Sequence, residues 1–371
     1  MEEKLRLEIL ADFDKYQMRY SDFANATSRL LGDLLDEQSI SVHSITQRCK
    51  SKKSLEEKIN RPEKRYRNLS DITDVAAVRI TTYFVDDVDK VAELIEKEFS
   101  VHPEQSVDKR AYDEPDRFGY QSLHYVVSIT NGRINFGEYR RFEKLRLEIQ
   151  IRSILQHAWA EIEHDLGYKS AAGIPTSVRR RFARVAGLLE LADEEFRTIR
   201  ETLNAYAQEV PESIDRDAFS VEIDQTSLRI LLETESITKS LDFVVSEQSG
   251  CRLSSQLRVD FEVDLRRLKF FGITTIGELE KTASEQKDLV AAFVRYWTRK
   301  SDGYFSAGIG LFYLAYVLAW KTQDRARIDH YLTIGPIVPA DERDGLTNRI
   351  LAFDPQNLPR KSPSEGKRSK K

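Results

Sequence analysis

The stretch RLEIQIRSILQHAWAEIEHDLGYK, Arg146 to Lys169, carries two periods in succession. Leu145, Leu147, Ile149 and Ile151 alternate with Arg146, Glu148, Gln150 and Arg152. Successive side chains of a strand point to opposite faces. The first part therefore reads as a strand with one core face, its other face presenting an acid, an amide and guanidiniums in a row. Ile154, Leu155, Ala158, Trp159, Ile162 and Leu166 then recur at helical spacing, so the second part reads as an amphipathic helix.

The flanking sequence supplies partners for this strand and helix. Residues 1–40 have apolar positions at helical spacing, and Arg48–Asn60 reads as a second helix ended by Pro62. DVAAVRITTYF, Asp74–Phe84, is near-continuously apolar and reads as a buried strand. Val88–Phe99 is an amphipathic helix that returns the chain to the sheet, and a polar loop then runs to Tyr120. Strands follow at Ser122–Thr130, about Arg133–Gly137 and Leu145–Arg152, with helices at Ser153–Lys169 and about Thr176–Ala207. This order predicts an α+β class, a mixed β-sheet flanked by helices, over residues 1–208. The polar segment 209–217, with Pro211, reads as a linker to a mainly helical domain at 218–353. The Pro/Ser/Lys-rich residues 354–371 are expected to be a disordered tail.

Composition narrows the class. The chain has 371 residues, 32% of them charged, and a net charge of −4, so it is not a polycation for nucleic acid as a whole. Its two cysteines, Cys49 and Cys251, lie far apart, which argues against a disulfide framework or a zinc ribbon and fits the cytoplasm. MEEKLRLEIL has no apolar core of a signal peptide. The uncharged run Tyr304–Trp320 contains two Gly, a Ser and three Tyr, and reads as a buried core helix rather than a membrane span. Thr275 is placed to cap a helix that follows KFFGIT.

Several clusters could carry chemistry. On a helix, Lys50, Ser54 and Lys58 would form one stripe of two ammonium groups and a hydroxyl, a surface suited to phosphates or simply to solvent. Asp74 at a strand end could hold Mg²⁺ together with substrate oxygens. Arg79, inside an apolar strand, must pair or emerge into a pocket, where its planar group can stack on a base. Tyr120, Ser122 and His124 fall on one face at period two, an aromatic followed by two hydrogen-bonding groups. His157, Glu161 and His164 share a helix face in a spacing that could bind zinc, but no HExxH and no nearby cysteine accompany them. A polar pocket wall or a solvated face is the better reading.

The order of these clusters says more than any one of them. RxKxxxSxxxK, DxxAxR, GYxSxH, ExQxR and WAxxEHxxxYK follow one another in the order found in the synthetase domain of the RelA/SpoT family, and this chain resembles that domain over about Val42–Lys169. The resemblance implies a nucleotidyltransferase-like fold and transfer of the β,γ-pyrophosphate of ATP to the 3′-hydroxyl of GDP or GTP, giving ppGpp or pppGpp. Arg48 and Arg79 would then sandwich adenine, and Lys50, Ser54 and Lys58 would hold the ATP phosphates. Asp74 and Glu148 would be the catalytic carboxylates and bind Mg²⁺. Tyr120 would stack on the acceptor guanine, and Ser122, His124, Gln150, His164 and Lys169 would line the acceptor side.

Two departures from the family pattern qualify this expectation. About 40 residues precede the first motif, too few for the family's hydrolase domain, so synthesis without hydrolysis is expected. Residues after 217 do not resemble the usual C-terminal regulatory array. A synthetase-like domain with another C-terminal domain is similar to toxic small synthetases, including single-chain toxin–antitoxin fusions of phage defence, some of which pyrophosphorylate the tRNA 3′ CCA end while others make toxic nucleotides. The exposed-looking basic run Arg179–Arg184 is a candidate surface for tRNA, and the C-terminal domain for a protein trigger. A nucleotide-binding sensor without catalysis is the remaining alternative.

Overall fold

The computed structural model describes residues 3–61, 65–108, 122–168, 175–257, 261–298, 302–335 and 339–357. The chain divides into two compact units, Met1–Glu201 and Thr202–Lys371, each with its own apolar core.

The first unit begins with helix α1 (Glu3–Glu37), which buries Phe13, Phe23, Leu31 and Leu35 along one stripe. Strand β1 (Val42–Cys49) leads to α2 (Lys52–Ile59), then β2 (Ala76–Thr82), α3 (Asp87–Glu98), β3 (Phe99–Val101), β4 (Val107–Asp108) and β5 (Leu123–Ile129). Two short helices, α4 (Asn131–Ile134) and α5 (Gly137–Arg140), precede β6 (Leu147–Ser153), α6 (Ile154–Tyr168) and α7 (Thr176–Asp217). The sheet is mixed, in the order β1-β2-β6-β5-β3, with β4 also paired to β5. β2 and β6 run parallel at its centre, flanked antiparallel by β1 and β5.

The alternation read in β6 is observed. Leu147, Ile149 and Ile151 are fully buried, as are Val78 and Ile80 on the same face of β2. They join α1 and α3 in one cluster, where each large apolar side chain contributes roughly 1.5–3 kcal/mol on leaving water. The opposite face is polar. Direct cross-strand partners share a face, and the register aligns Arg79 with Gln150 and Gln150 with His124, a row across three strands.

Several boundaries differ from those the periodicity predicts. β1 is not legible as a strand in the sequence, and it absorbs Arg48, which pairs with Ala77. The helix therefore starts only at Lys52, capped by the Ser51 hydroxyl, and Lys50 lies on the connection between strand and helix. The expected strand at Arg133–Gly137 is instead α4, a turn and α5, closed by local bonds such as Ile134 N to Thr130 O. The expected linker 209–217 lies inside α7, which continues through Pro211 to Asp217. Proline removes one backbone donor and strains the preceding turn, yet Val210 beside it is 1% exposed. Packing of that neighbour holds the helical path there.

The second unit contains α8 (Gln225–Glu233), α9 (Ile237–Ser249), β7 (Arg252–Leu257), α10 (Phe261–Phe270), α11 (Ile276–Trp297), β8 (Tyr304–Ala307), α12 (Ile309–Lys321), α13 (Arg325–Thr333) and α14 (Arg343–Leu351). It is mainly helical, with one parallel pair, β7-β8. Thr275 caps α11 in a reciprocal box with Glu278, as its spacing predicts. The apolar run from Tyr304 is split into β8 and α12, and Leu314, Tyr316 and Val317 of α12 are core residues. Among the described residues no helix is long and apolar enough to cross a membrane. Of the expected disordered tail, residues 358–371 lie outside the described residues.

Candidate active site

Two carboxylates lie within electrostatic reach of each other, one on the sheet and one in the turn beside it. Asp74 lies in the turn just before β2. Lys50 Nζ is 3.0 Å from its Oδ2 and Lys58 Nζ is 2.6 Å from its Oδ1. Thus Lys50 and Lys58 meet at one acid although they do not share a helix. Burial pushes the Asp74 pKa up, but the charge of Lys50 and the hydrogen bond and charge of Lys58 outweigh it and hold the group below the ordinary carboxylate range. Ser54 is exposed on α2, and its hydroxyl accepts from Ser51 at 3.2 Å.

Glu148 projects from β6. His124 Nδ1 is 2.7 Å from Glu148 Oε1, and Gln150 Nε2 donates to Oε2 at 2.8 Å. Ser122 Oγ lies 2.7 Å from His124 Nε2. Both imidazole nitrogens are thereby engaged, which fixes the ring against Glu148. Burial raises the Glu148 pKa, whereas the His124 hydrogen bond and charge and the Gln150 hydrogen bond lower it, leaving it below the usual range. Asp74 pushes it in the other direction by charge repulsion, so the two acids act on each other electrostatically. Ser122 is fully buried. The motifs set it in contact with an acceptor; the structure sets it behind His124, because its hydroxyl faces the ring.

A third acid completes the polar face. Glu161 of α6 accepts from Arg79 Nη1 at 2.9 Å and from Arg152 Nη2 at 3.3 Å, with His157 Nδ1 at 3.7 Å. Burial raises its pKa, and Arg79, Arg152 and His157 more than reverse that. His157 is held low by burial and then by Arg152 and Arg79. The zinc spacing therefore serves an ion-pair cluster: Glu161 turns toward arginines, and His164 is exposed on a later turn. Among the described residues no group of three or more His, Cys, Asp or Glu is arranged to hold a metal. The apolar stripe of α6 also does not reach the core in full. Trp159 is buried and donates to Phe182 O at 3.3 Å, but Ile162 and Leu166 are 55% and 58% exposed.

Apart from the zinc spacing of Glu161, the sequence assigns Glu161 and Arg152 no role at the site. The available signal is an acid at i+4 from His157 near two strand arginines, but which partner it takes depends on sheet register. Tyr120 and Lys169, expected at the acceptor side, lie outside the described residues.

The donor set fits Mg²⁺ better than zinc. Asp74 Oδ1 is buried with the Lys58 ammonium at 2.6 Å as its close partner, and a second hard oxygen donor, Glu148, is within electrostatic reach. Mg²⁺ takes one or two carboxylates together with substrate phosphates, with no need for an all-protein cage.

Residues 47–173 match the family model described as "Region found in RelA / SpoT proteins". The chain is 34% identical over 175 residues to GTP pyrophosphokinase YjbM of Bacillus subtilis (strain 168), covering 46% of this chain and 78% of that one. It is 27% identical over 133 residues to GTP pyrophosphokinase YwaC of the same organism, covering 36% and 60%. Among solved structures, small alarmone synthetase 1 from Bacillus subtilis bound to its product pppGpp aligns with 27% identity and a TM-score of 0.44, over 52% of this chain and 99% of that one. The motif order, the family-model match over residues 47–173 and the extent of identity to YjbM together make this chain a member of the RelA/SpoT family.

Proposed function

We propose that this protein is a Mg²⁺-dependent pyrophosphokinase that transfers the β,γ-pyrophosphate of ATP to the 3′-hydroxyl of GDP or GTP. The observation that carries this reading is the meeting of Lys50 and Lys58 at Asp74, within electrostatic reach of Glu148, in a member of a family whose relatives are GTP pyrophosphokinases. Displacement at phosphorus needs positioning and charge neutralisation more than covalent help from the protein. Lys50 and Lys58 supply the positive charge for the phosphates, and Ser54, exposed on α2, adds a hydroxyl. Asp74 and Glu148 would hold Mg²⁺, whose charge would neutralise the transferring group.

The sheet geometry supports a purine slot. Arg48 faces Ala77 across β1 and β2, and Arg79 is two residues further along the same face. Such diagonal neighbours start about 7–8 Å apart at the strands, so both guanidinium groups can reach one flat ring from the same sheet face. The small side chain of Ala77 keeps the floor open. On the other flank, Glu148, oriented by His124 and Gln150, is suited to accept the proton of the attacking hydroxyl. His124 and Gln150 form the acceptor wall, with Tyr120, His164 and Lys169 assigned to it from the motifs.

One observation favours a second reading. Arg179, Arg180, Arg181 and Arg184 are all exposed on the first turns of α7, a surface suited to a nucleic-acid backbone, such as a tRNA acceptor. The C-terminal unit would then restrain the site until a protein trigger binds. Incubation with ATP labelled on its terminal phosphate, together with GDP, GTP or deacylated tRNA, separates the readings. Labelled ppGpp or pppGpp supports the first and labelled tRNA the second. No transfer, with the full chain and with residues 1–217 alike, supports a nucleotide-binding sensor.

A further inference from the structure

Glu161 and Arg79 are 82 positions apart in the chain, yet the Glu161 carboxylate takes the Arg79 Nη1 hydrogen bond at 2.9 Å. The family motifs assign Arg79 to the donor base and assign nothing to Glu161. Their contact links α6 to the polar face of β2. The two arginines flanking the proposed purine slot are therefore unequal. Arg48 is exposed and has no ion pair among the described residues, whereas Arg79 is about one quarter exposed and anchored.

This difference has a physical consequence. A free arginine side chain carries about 2 kcal/mol of rotamer entropy, part of which is lost when a ligand orders it. An anchor at a terminal nitrogen removes part of that cost before binding. A carboxylate binds a guanidinium along its edge, so this anchor does not itself occupy the faces of the plane. The Arg79 Nε is buried and makes no hydrogen bond, so the contact through Nη1 is what orients the group. Arg152, 3% exposed in its side chain, approaches the same Glu161 oxygen at 3.3 Å, and this limits how far Glu161 can swing away.

We propose that Glu161 is a positioning residue for the donor nucleotide: it presets the Arg79 plane as the rigid wall of the purine slot, and Arg48 closes the other side on binding. This inference rests on the pyrophosphokinase reading for the identity of the nucleotide.

The test uses full-length protein carrying Glu161→Gln, Glu161→Asp, Arg79→Ala and the double variant Glu161→Gln/Arg79→Ala. ATP affinity is measured by calorimetry, and KM for ATP, KM for GTP and kcat by transfer of label. Glu161→Gln should weaken ATP binding and raise KM for ATP about three- to fivefold, the size of one lost ion pair whose acid is more than half exposed. KM for GTP and kcat should stay within about twofold. Glu161→Asp, which keeps the charge, should recover part of the loss. In the Arg79→Ala background Glu161→Gln should add nothing, because contacting groups are non-additive. An unchanged ATP affinity, an equal rise in both KM values, a fall in kcat alone, or full additivity would overturn the proposal. A merely structural role for Glu161 would shift both substrates together. If the wild-type chain binds ATP but transfers nothing, the pyrophosphokinase reading fails, and the calorimetric comparison still decides the role of Glu161.

Discussion

The Lys58 ammonium lies 2.6 Å from Asp74 Oδ1, and the two groups come from the end of a helix and the turn before a strand. Lys50 closes on the other carboxylate oxygen at 3.0 Å. In this state one carboxylate is held between two ammonium groups, which leaves one positive charge in excess. On the proposed reading, a bound triphosphate would draw the lysines to phosphate and leave Asp74 to hold the cation.

Asp74→Asn should therefore lower pyrophosphokinase kcat by at least about 10²–10³, the range seen when a preorganised electrostatic group is lost. Far-ultraviolet circular dichroism should be unchanged. Normal turnover in the variant would remove Asp74 from the catalytic set.

Glu148→Gln should show a loss of the same order, because the amide keeps the shape but provides neither a base nor a metal-binding charge. His124→Ala should be milder and should act through Glu148, whose Oε1 loses its partner at 2.7 Å. If steady-state kinetics showed His124→Ala to be more damaging than Glu148→Gln, the ranking of these roles would be wrong.

Asp193 gives a pH-dependent prediction away from the site. It is 5% exposed and accepts from Ser153 Oγ at 2.7 Å. Burial raises its pKa, and the Ser153 hydrogen bond offsets this only in part. A carboxyl with a raised folded-state pKa stabilises the fold below its unfolded pKa, and that contribution is lost as pH rises through the folded value. Asp193→Asn should therefore raise the melting temperature at pH 7, with the gain shrinking as pH falls toward the ordinary carboxylate range. A gain that grows in acid would contradict this sign.

In the second unit, a Cβ at Gly310 would stand 2.6 Å from Leu241 Cβ and 3.0 Å from Asp242 N. The Gly310 N–H also donates to Asp242 Oδ1 at 2.6 Å. Gly310→Ala should destabilise this unit by about 1–3 kcal/mol, the usual cost of overpacking. Gly345→Ala, where nothing lies within 4 Å of the added atom, is the control. Thermal denaturation of both variants reads the difference.

Local periodicity makes part of this protein legible. The β6 alternation, the α3 stripe and the Thr275 cap depend on residues a few positions apart, and all three appear in the fold as their spacing predicts. The family is likewise carried by residues whose spacing is set within short segments, so Asp74, Glu148, Lys50 and Lys58 stand out from the linear order of the motifs alone. Other features required the fold. β1 is a strand only because β2 offers it an antiparallel partner, and that pairing moves Lys50 off the helix. Ile162 and Leu166 have helical spacing but no core opposite them, and Pro211 sits in a helix held by the packing of its neighbour Val210. Glu161 finds Arg79 across 82 positions of sequence. Hydrophobic period and capping are short-range properties carried by the chain itself; ion pairs and burial depend on which surfaces the sheet register brings together, and those partners exist only once the chain has folded.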